Sequence, residues 1–191
     1  MKLLTLLKDL PSHTLTGSPQ VKISHLECDS RRILPGSCYI ALKGTRADGH
    51  EFIPEAIRRG ACAVVAEMPC TQEAREAGVS WVEVNDSRLA VSLMGATWNG
   101  HPSRHMTMIG VTGTKGKTTT THMIKSVLEA AGRKVGMIGT NGIYFLGHHK
   151  ETANTTPESY ELQKTFRQFL DAGCDTALME VSSQGLMMDL S

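Results

Sequence analysis

A glycine- and threonine-rich segment, GVTGTKGKTTTT (Gly110–Thr121), has the residue types needed to bind the phosphates of a nucleotide. It lies between an apolar run and an amphipathic pattern, so the sequence predicts a strand, a turn and a helix in this order. Glycines let backbone N–H groups converge, and the positive end of the helix dipole faces the same point. Lys117 would neutralise β- and γ-phosphate charge, and the Thr118 hydroxyl would hold Mg²⁺. We therefore predict a site for ATP and Mg²⁺; the alternative is a threonine-rich helix start that binds no ligand.

The spacing of this segment differs from the common phosphate-binding motif G-x-x-x-x-G-K-[ST], because Val111 stands where the first glycine is expected. The match is the shorter G-x-x-G-K-T that begins at Gly113. This shorter spacing resembles the loop of the Mur ligase family, which reads G-T-x-G-K-[ST]-T. Three further segments resemble MurE-type members of that family, namely a UDP-binding N-terminal domain (CDSRR to AVVAE, Cys28–Glu67), a substrate-binding turn (NTTPE, Asn154–Glu158) and a central-domain strand and loop (MEVSSQGL, Met179–Leu186).

The resemblance implies a function for the intact protein. MurE-type enzymes are ATP-dependent amide ligases of peptidoglycan synthesis, and they require Mg²⁺. The implied substrates are UDP-N-acetylmuramoyl-L-alanyl-D-glutamate (UDP-MurNAc-L-Ala-D-Glu) and an amino acid, either meso-diaminopimelate or L-lysine. The sequence leaves the choice of amino acid open.

The resemblance also implies roles for individual residues. The UDP-sugar would contact Ser30, Thr45, Arg46 and Ala47, and the muramoyl dipeptide would contact Asn154, Thr155, Thr156 and Ser182. ATP would lie against Gly113, Thr114, Lys115, Gly116, Lys117, Thr118 and Thr119. Lys117 and Glu180 would act in catalysis, and Thr118 and Glu180 would bind the metal. Strand carboxyl ends, where Glu180 is expected, are the usual ligand sites of α/β sheets.

Several of these residues also have purely structural interpretations. Asp29-Ser30-Arg31, taken alone, favours a turn with a solvated arginine. Thr155 to Glu158 is typical of a helix start, with proline near its first position, and this is compatible with ligand binding. Glu180 as a lone residue is equally consistent with a paired core carboxylate. His148-His149 is interpreted as an exposed hairpin tip and is given no role.

The sequence departs from the family pattern at three positions. Lys115 stands where asparagine is common, Gln184 replaces a histidine, and Leu190 lies near the position of a substrate-binding arginine. The family's carbamylated lysine and C-terminal domain have no counterpart, so we expect an N-terminal portion that is inactive alone. Two other functions stay open: a P-loop kinase or NTPase with another substrate, and a non-catalytic module that binds a nucleotide sugar.

The elements that must position these residues alternate between strands and helices, which predicts an α/β fold with parallel sheets. We predict a small UDP-binding α/β domain over residues 1–98, a linker over 99–105 and an incomplete P-loop ATPase domain over 106–191. In the first domain, strands are expected at Val21–Ser24, Ser37–Leu42, Ala63–Ala66 and Trp81–Val84, and helices at Ile53–Arg59, Gln72–Ala77 and from Asn85-Asp86 to Trp98. In the second, strands are expected at Met106–Val111, Lys134–Thr140 and Asp175–Val181, helices at Thr118–Ala131 and Glu158–Leu170, and a hairpin from Asn141 to Lys150.

Composition restricts the partners. A net charge of +1 excludes a nucleic acid or membrane surface held by bulk charge. The five cysteines form no C-x-x-C pair, which favours free thiols in a reducing compartment. The start, MKLLTLLKDL, is interpreted as a short amphipathic helix, and a cytoplasmic protein is expected. Only three parallel strands are expected in the second domain, so its open edge predicts self-association.

Overall fold

The computed structural model describes residues 1–44, 47–151 and 159–182. These residues form two compact units, Met1–Trp98 and Asn99–Ser191. The predicted linker, residues 99–105, lies in the second unit and contains a 3₁₀ helix, Pro102–His105. None of the helices in the described ranges is long and apolar enough to cross a membrane.

The first unit is built on a five-stranded sheet in the order β1-β5-β4-β3-β2. Its strands are β1 (Thr14–Thr16), β2 (His25–Glu27), β3 (Ser37–Ile40), β4 (Ala61–Ala66) and β5 (Ser80–Glu83). Strands β2 to β5 are mutually parallel, and β1 pairs antiparallel with β5 at one edge. The segments that follow β2, β3, β4 and β5 therefore meet at the same edge of the sheet.

Helices cover this sheet on both faces. They are α1 (Leu3–Leu6), α2 (Ile53–Arg58), α3 (Gln72–Glu76) and α4 (Ser87–Trp98), with 3₁₀ helices at Ser30–Arg32 and Gly49–Phe52. One apolar core joins Tyr39, Val64 and Trp81 of the strands to α2 and α3. The Trp81 indole N–H donates to the Met68 carbonyl at 3.0 Å, so the buried ring leaves no unpaired donor. Helix α4 packs against α1 and β4.

The second unit contains a five-stranded sheet in the order β6-β10-β7-β8-β9. Its elements are β6 (Thr107–Val111), α5 (Lys117–Ala130), β7 (Val135–Gly139), β8 (Gly142–Phe145), β9 (His148–Lys150), α6 (Ser159–Asp171) and β10 (Thr176–Glu180). Strands β6, β10 and β7 are parallel, while β8 and β9 continue the sheet as an antiparallel hairpin. The three predicted parallel strands are thus present, with β6 at one edge of the sheet.

The two helices of this unit lie on opposite faces of the sheet. Leu162, Phe166 and Phe169 of α6 pack against Ile138 and the neighbouring strand residues. Ile124 and Leu128 of α5 pack against the other face, with Val135, Met137 and Leu178. Alternate strand residues therefore bury both faces, as a parallel sheet requires.

The structure differs from the predictions made from the sequence at three places. The strand predicted at Val21–Ser24 is displaced, since β2 begins at His25 and Lys22 forms only an isolated bridge with Lys2. A strand at Thr14–Thr16 was not predicted, because its three residues are largely exposed and carry no clear apolar alternation. The apolar face of the amphipathic pattern in α5 is narrower than expected, since Met123 and Val127 are 65% and 69% exposed, whereas the i, i+4 pair Ile124 and Leu128 packs on the sheet.

Candidate functional site

The predicted phosphate loop, residues 112–116, lies between β6 and α5, as the sequence indicated. Gly113 has φ of 151° and Gly116 has φ of 79°, backbone values that side-chain-bearing residues rarely adopt. Gly116 is the residue before helix α5, which begins at Lys117. The Lys117 ammonium donates to the Gly113 carbonyl at 2.7 Å, so it lies over the loop. Backbone N–H groups, a helix N-terminus and one ammonium thus converge, an arrangement suited to phosphate.

Glu180 is the buried carboxylate at the carboxyl end of β10, and its side chain is oriented by hydroxyl and backbone donors. It is 1% exposed. The Thr118 hydroxyl donates to its Oε2 at 2.9 Å, and the Thr140 backbone N–H donates to its Oε1 at 3.1 Å. The Thr140 hydroxyl lies 3.2 Å from Oε2. The carboxylate is therefore paired, as the structural interpretation expected, and it also lies beside the first turn of the phosphate-loop helix.

Gly139 makes room for this carboxylate. A Cβ atom at residue 139 would lie 2.2 Å from the Glu180 Oε1, well inside contact distance. Strand β7 ends at Gly139, and the two-residue turn Thr140-Asn141 leads directly into β8, with Gly139 paired to Gly142. The turn that carries Thr140 is thus held close to Glu180.

The oxygen donors around Glu180 fit Mg²⁺. Magnesium is usually held by one or two carboxylates together with phosphate oxygens and water. Glu180 and the Thr118 hydroxyl provide such a donor pair next to the phosphate loop. Within residues 1–44, 47–151 and 159–182, no group of three or more His, Cys, Asp or Glu side chains could hold a metal ion. The oxygen atoms of Glu180 and Thr118 suit a hard cation that arrives with phosphate.

In the first unit, Ser30 begins the 3₁₀ helix that follows β2. Ser30 is 9% exposed. Asp29 caps this helix by accepting from the Arg31 backbone N–H at 3.0 Å, and the Arg31 guanidinium donates to both oxygens of the same carboxylate. The hydrogen bond from the Arg31 side chain lowers the pKa of Asp29. The Arg31 side chain is 85% exposed, so the turn with a solvated arginine is present, and Ser30 lies in it at the carboxyl edge of the sheet.

The loop after β3, Lys43–His50, is closed by its own backbone and by a buried tyrosine. Gly44 N–H donates to the Ala47 carbonyl at 3.0 Å, and Gly49 N–H donates to the Leu42 carbonyl at 2.8 Å. The Tyr39 hydroxyl donates to the Gly49 carbonyl at 2.9 Å. Burial raises the pKa of Tyr39 to about 12, so the phenol stays protonated and remains a donor. Ala47, whose carbonyl accepts the Gly44 N–H, is exposed.

His50 connects this loop to the next strand. Its Nε2 accepts the Glu67 backbone N–H at 3.0 Å, which requires that the ring proton lie on Nδ1. Nδ1 therefore donates to the Asp48 carboxylate at 2.6 Å. Hydrogen bonds from the His50 backbone and ring lower the pKa of Asp48. The ring thus bridges the loop after β3 and the segment after β4.

Glu67 and Arg88 extend the bridge to helix α4. Glu67 Oε1 accepts the Ser87 backbone N–H at 2.8 Å, and its Oε2 lies 3.7 Å from the Lys43 ammonium. Arg88 donates from its guanidinium to the Lys43 carbonyl at 2.8 Å. The Asp86 carboxylate caps α4 by accepting from the backbone N–H groups of Arg88 and Leu89, as the Asn85-Asp86 signal predicted. Side chains therefore connect the segments that follow β3, β4 and β5.

The structure groups the predicted site residues at two strand edges. Ser30 and Ala47 follow the neighbouring strands β2 and β3 of the first unit. Thr118, Glu180 and Ser182 lie at the carboxyl edge of the second sheet with the loop residues Gly113, Thr114, Lys115, Gly116, Lys117 and Thr119. The predicted residues Thr45, Arg46, Asn154, Thr155 and Thr156 lie outside the described residues, as do Gln184 and Leu190.

Sequence reasoning missed the residues that hold the site in place. Thr140 orients Glu180 from the turn after β7, and His50 and Glu67 hold the loop of the first unit. The partners of these contacts are separated by 17 to 40 residues. A motif with fixed local spacing cannot reveal such pairs.

Two profiles of one protein family match the two units. Residues 22–98 match "Mur ligase family, catalytic domain", and residues 111–190 match "Mur ligase middle domain". Among curated proteins, a ligase of Alkaliphilus metalliredigens named UDP-N-acetylmuramoyl-L-alanyl-D-glutamate–2,6-diaminopimelate ligase is 42% identical over 99% of this chain. The ligase of the same name from Geobacillus thermodenitrificans is 45% identical over 97% of this chain. The chain spans 38% and 37% of the lengths of these two relatives.

Solved structures share the fold. A structure of a UDP-N-acetylmuramoyl-L-alanyl-D-glutamate–2,6-diaminopimelate ligase superposes with a TM-score of 0.76 at 23% identity, covering 98% of this chain and 37% of that one. A MurF ligase from Thermotoga maritima, solved in complex with ADP, superposes with a TM-score of 0.54 at 26% identity, covering 85% of this chain and 32% of that one. Because both family profiles, the curated relatives and the fold agree, the chain belongs to the Mur ligase family.

Proposed function

We propose that this chain supplies the UDP-sugar-binding unit and the ATP-binding unit of a ligase that adds 2,6-diaminopimelate to UDP-MurNAc-L-Ala-D-Glu. The choice of diaminopimelate over lysine rests on the names of the curated relatives. The activity is proposed for a protein of the length of those relatives. A cytoplasmic location is part of the proposal, since five cysteines outside any disulfide and ATP-dependent chemistry suit a reducing compartment.

The observation that carries the proposal is the convergence of Lys117, Thr118 and Glu180 at the carboxyl edge of the second sheet. In the proposed reaction, the γ-phosphoryl group of ATP passes to the D-glutamate γ-carboxylate and ADP leaves. The amine of the incoming amino acid then attacks this acyl phosphate, which forms the amide and releases phosphate. Phosphoryl transfer of this kind is accelerated mainly by positioning and by neutralising charge.

Each predicted site residue of the second unit has a role in this proposal. Lys117, released from the Gly113 carbonyl, would pair with the β- and γ-phosphates. The N–H groups of Gly113 to Thr119 would hold the phosphate oxygens, while the Thr118 hydroxyl and Glu180 would hold Mg²⁺. Bound Mg²⁺ would supply positive charge against the charge of the transferring phosphoryl group. Ser182, two residues beyond Glu180, is proposed with Asn154, Thr155 and Thr156 to contact the dipeptide.

The first unit would bind the uridine diphosphate end of the substrate. Ser30 follows β2, and the loop with Thr45, Arg46 and Ala47 follows β3, so both segments meet at one edge. Hydroxyl and guanidinium groups suit sugar and diphosphate oxygens. Because β2 and β3 are neighbours, a ligand that runs along this edge would contact both segments.

Titration of UDP-MurNAc-L-Ala-D-Glu into the 191-residue chain by calorimetry tests this assignment. We expect saturable binding that Ser30→Ala and Arg46→Ala each weaken by about 1 kcal/mol or more, as for the loss of one polar contact. Arg75→Ala, on the exposed surface of α3, is the matched control and should leave binding unchanged. Absence of binding, or binding indifferent to both substitutions, would rule out this use of the first unit.

Self-association through the edge strand β6 stays a prediction. Met108 of this strand is 39% exposed, and Met123 and Val127 of the adjoining helix are also exposed. Sedimentation of the chain over a range of concentrations would detect it. A single monomeric species throughout that range would contradict it.

A further inference from the structure

The β8–β9 hairpin carries a ring stack that the proposed function does not use. Tyr144 and His149 are directly paired across the two strands, and their rings stack with centroids 4.3 Å apart and planes 13° apart. His122 of helix α5 lies edge-on to Tyr144, with centroids 5.8 Å apart. His149 was given no role from the sequence. His149 covers one face of the Tyr144 ring, and His122 contacts the same ring edge-on. The three rings therefore pack against one another.

Both stacked rings donate to the same backbone carbonyl. The Tyr144 hydroxyl donates to the Asn141 carbonyl at 2.9 Å, and His149 Nε2 lies 2.9 Å from the same oxygen. A carbonyl oxygen can only accept, so the His149 proton lies on Nε2. The carbonyl belongs to the turn Thr140-Asn141, whose first residue donates to Glu180 through its backbone N–H. The two rings and the metal-site carboxylate are therefore joined through one two-residue turn.

Gly142 shows that this arrangement is closely packed. It follows the turn with φ of 117°. A Cβ atom there would lie 2.5 Å from the Lys150 carbonyl oxygen and 2.8 Å from His149 Nε2. Only a glycine lets His149 approach the Asn141 carbonyl at this distance. The sequence Asn141-Gly142 thus permits the contact as well as the turn.

We propose that Tyr144 and His149 are positioning residues for Glu180. The two rings hold the Asn141 carbonyl and so fix the Thr140-Asn141 turn. Through the Thr140 N–H, the fixed turn holds the Glu180 carboxylate beside Thr118. Neither ring contacts Glu180 directly in this account. The inference deepens the Mg²⁺–ATP part of the proposed function and rests on it.

The test measures ATP binding by the 191-residue chain at a series of Mg²⁺ concentrations and in EDTA. Tyr144→Phe keeps the ring and removes the hydroxyl, and His149→Phe keeps a flat ring and removes the N–H group. Each should raise the Mg²⁺ concentration needed for half-maximal ATP binding by about threefold to tenfold, the effect of one neutral hydrogen bond. ATP affinity in EDTA should change by less than about twofold. The matched control is His148→Phe, the same change one residue away, where the ring lies against Phe145 instead; it should alter neither quantity.

The outcomes separate this inference from the function on which it rests. If Glu180→Gln raises the Mg²⁺ requirement but Tyr144→Phe and His149→Phe match His148→Phe, the positioning role is wrong and the proposed function stands. If both ring variants weaken ATP binding equally with and without Mg²⁺, the rings support the fold only, and the inference also fails. If the unaltered chain shows no Mg²⁺-dependent ATP binding, or Glu180→Gln has no effect, the ATP site and this inference are both wrong.

Discussion

The two sheets place the segments that are proposed to bind ligands at the same kind of edge but hold them by different means. In the second unit the phosphate loop is shaped by its own backbone, through the positive φ angles of Gly113 and Gly116 and the immediate start of α5. In the first unit the loop after β3 also has backbone hydrogen bonds of its own, but side chains connect it to the neighbouring segments, through His50 bonding to Glu67 and Arg88 bonding to Lys43. A loop shaped by its backbone angles depends on a few neighbouring residues. A loop that side chains connect to other segments depends on contacts between residues distant in sequence. The two loops should therefore respond differently to substitution.

The largest effect is expected for Lys117→Ala. Lys117 directly follows the last loop glycine and lies over the loop, while Lys115 contributes only general positive potential. Loss of the charged contact should weaken Mg²⁺–ATP binding by about 2 to 3 kcal/mol, against about 1 kcal/mol or less for Lys115→Asn. Calorimetry on the two variants checks this. Equal losses would show that the loop binds phosphate in another way.

A smaller effect is expected for Gly139→Ala, which tests the room left for Glu180. The new Cβ would displace the carboxylate, so the Mg²⁺ requirement of ATP binding should rise severalfold. Gly136→Ala on the same strand is the matched control, because its Cβ would meet the Phe169 ring at 2.3 Å. It should lower the free energy of unfolding by about 1 to 3 kcal/mol, as overpacking does, without changing the Mg²⁺ requirement. The interpretation of Gly139 is wrong if both variants change only stability.

In the first unit, His50→Ala should weaken binding of UDP-MurNAc-L-Ala-D-Glu by about 1 kcal/mol, the effect of a lost neutral hydrogen bond. It removes the acceptor of the Glu67 N–H and the partner of Asp48, so the loop loses one of its connections to the segment after β4. Glu51→Ala, a change at the exposed neighbouring residue, is the control and should have no effect on binding. Mg²⁺–ATP binding should be unchanged in both variants. A His50 variant that binds the UDP-sugar normally would show that the loop does not depend on the His50 side chain.

The smallest effect on either site is expected for Asp175→Asn, at the opposite end of the second sheet. Hydrogen bonds from Thr176 and Arg133 lower the pKa of Asp175 from 3.8 to about 2. A lowered pKa stabilises the folded state above the unfolded value, so this contribution is complete above about pH 4 and is lost as the pH falls towards 2. The stability difference between wild type and Asp175→Asn should shrink over this range in acid unfolding experiments, with both ligand affinities unchanged at neutral pH. A difference that stays constant from pH 5 to pH 2 would contradict the pairing.

The same contrast explains what could be predicted from the sequence. The phosphate loop is local, so a strand pattern, two glycines, Lys117 and a helix pattern were sufficient to place it. The parallel direction of the main strands also followed from the alternation of elements, but their order in each sheet was not predicted. Glu180 was placed at a strand end, but its partner Thr140 was not, since the pair depends on how β7 and β10 align. His50 was missed for the same reason, because nothing near it in sequence indicates its contact with Glu67.

The two units are proposed to bind different ligands, each at the carboxyl edge of its own sheet. Amide chemical-shift mapping of the 191-residue chain, with UDP-MurNAc and Mg²⁺–ATP added separately, tests it most directly. We predict that UDP-MurNAc shifts residues 28–33, 43–50 and 67, and that Mg²⁺–ATP shifts residues 110–121, 139–142 and 180, with little overlap. Both ligands shifting the same set of residues, or Mg²⁺–ATP leaving the segment from Gly113 to Thr119 unshifted, would contradict the account.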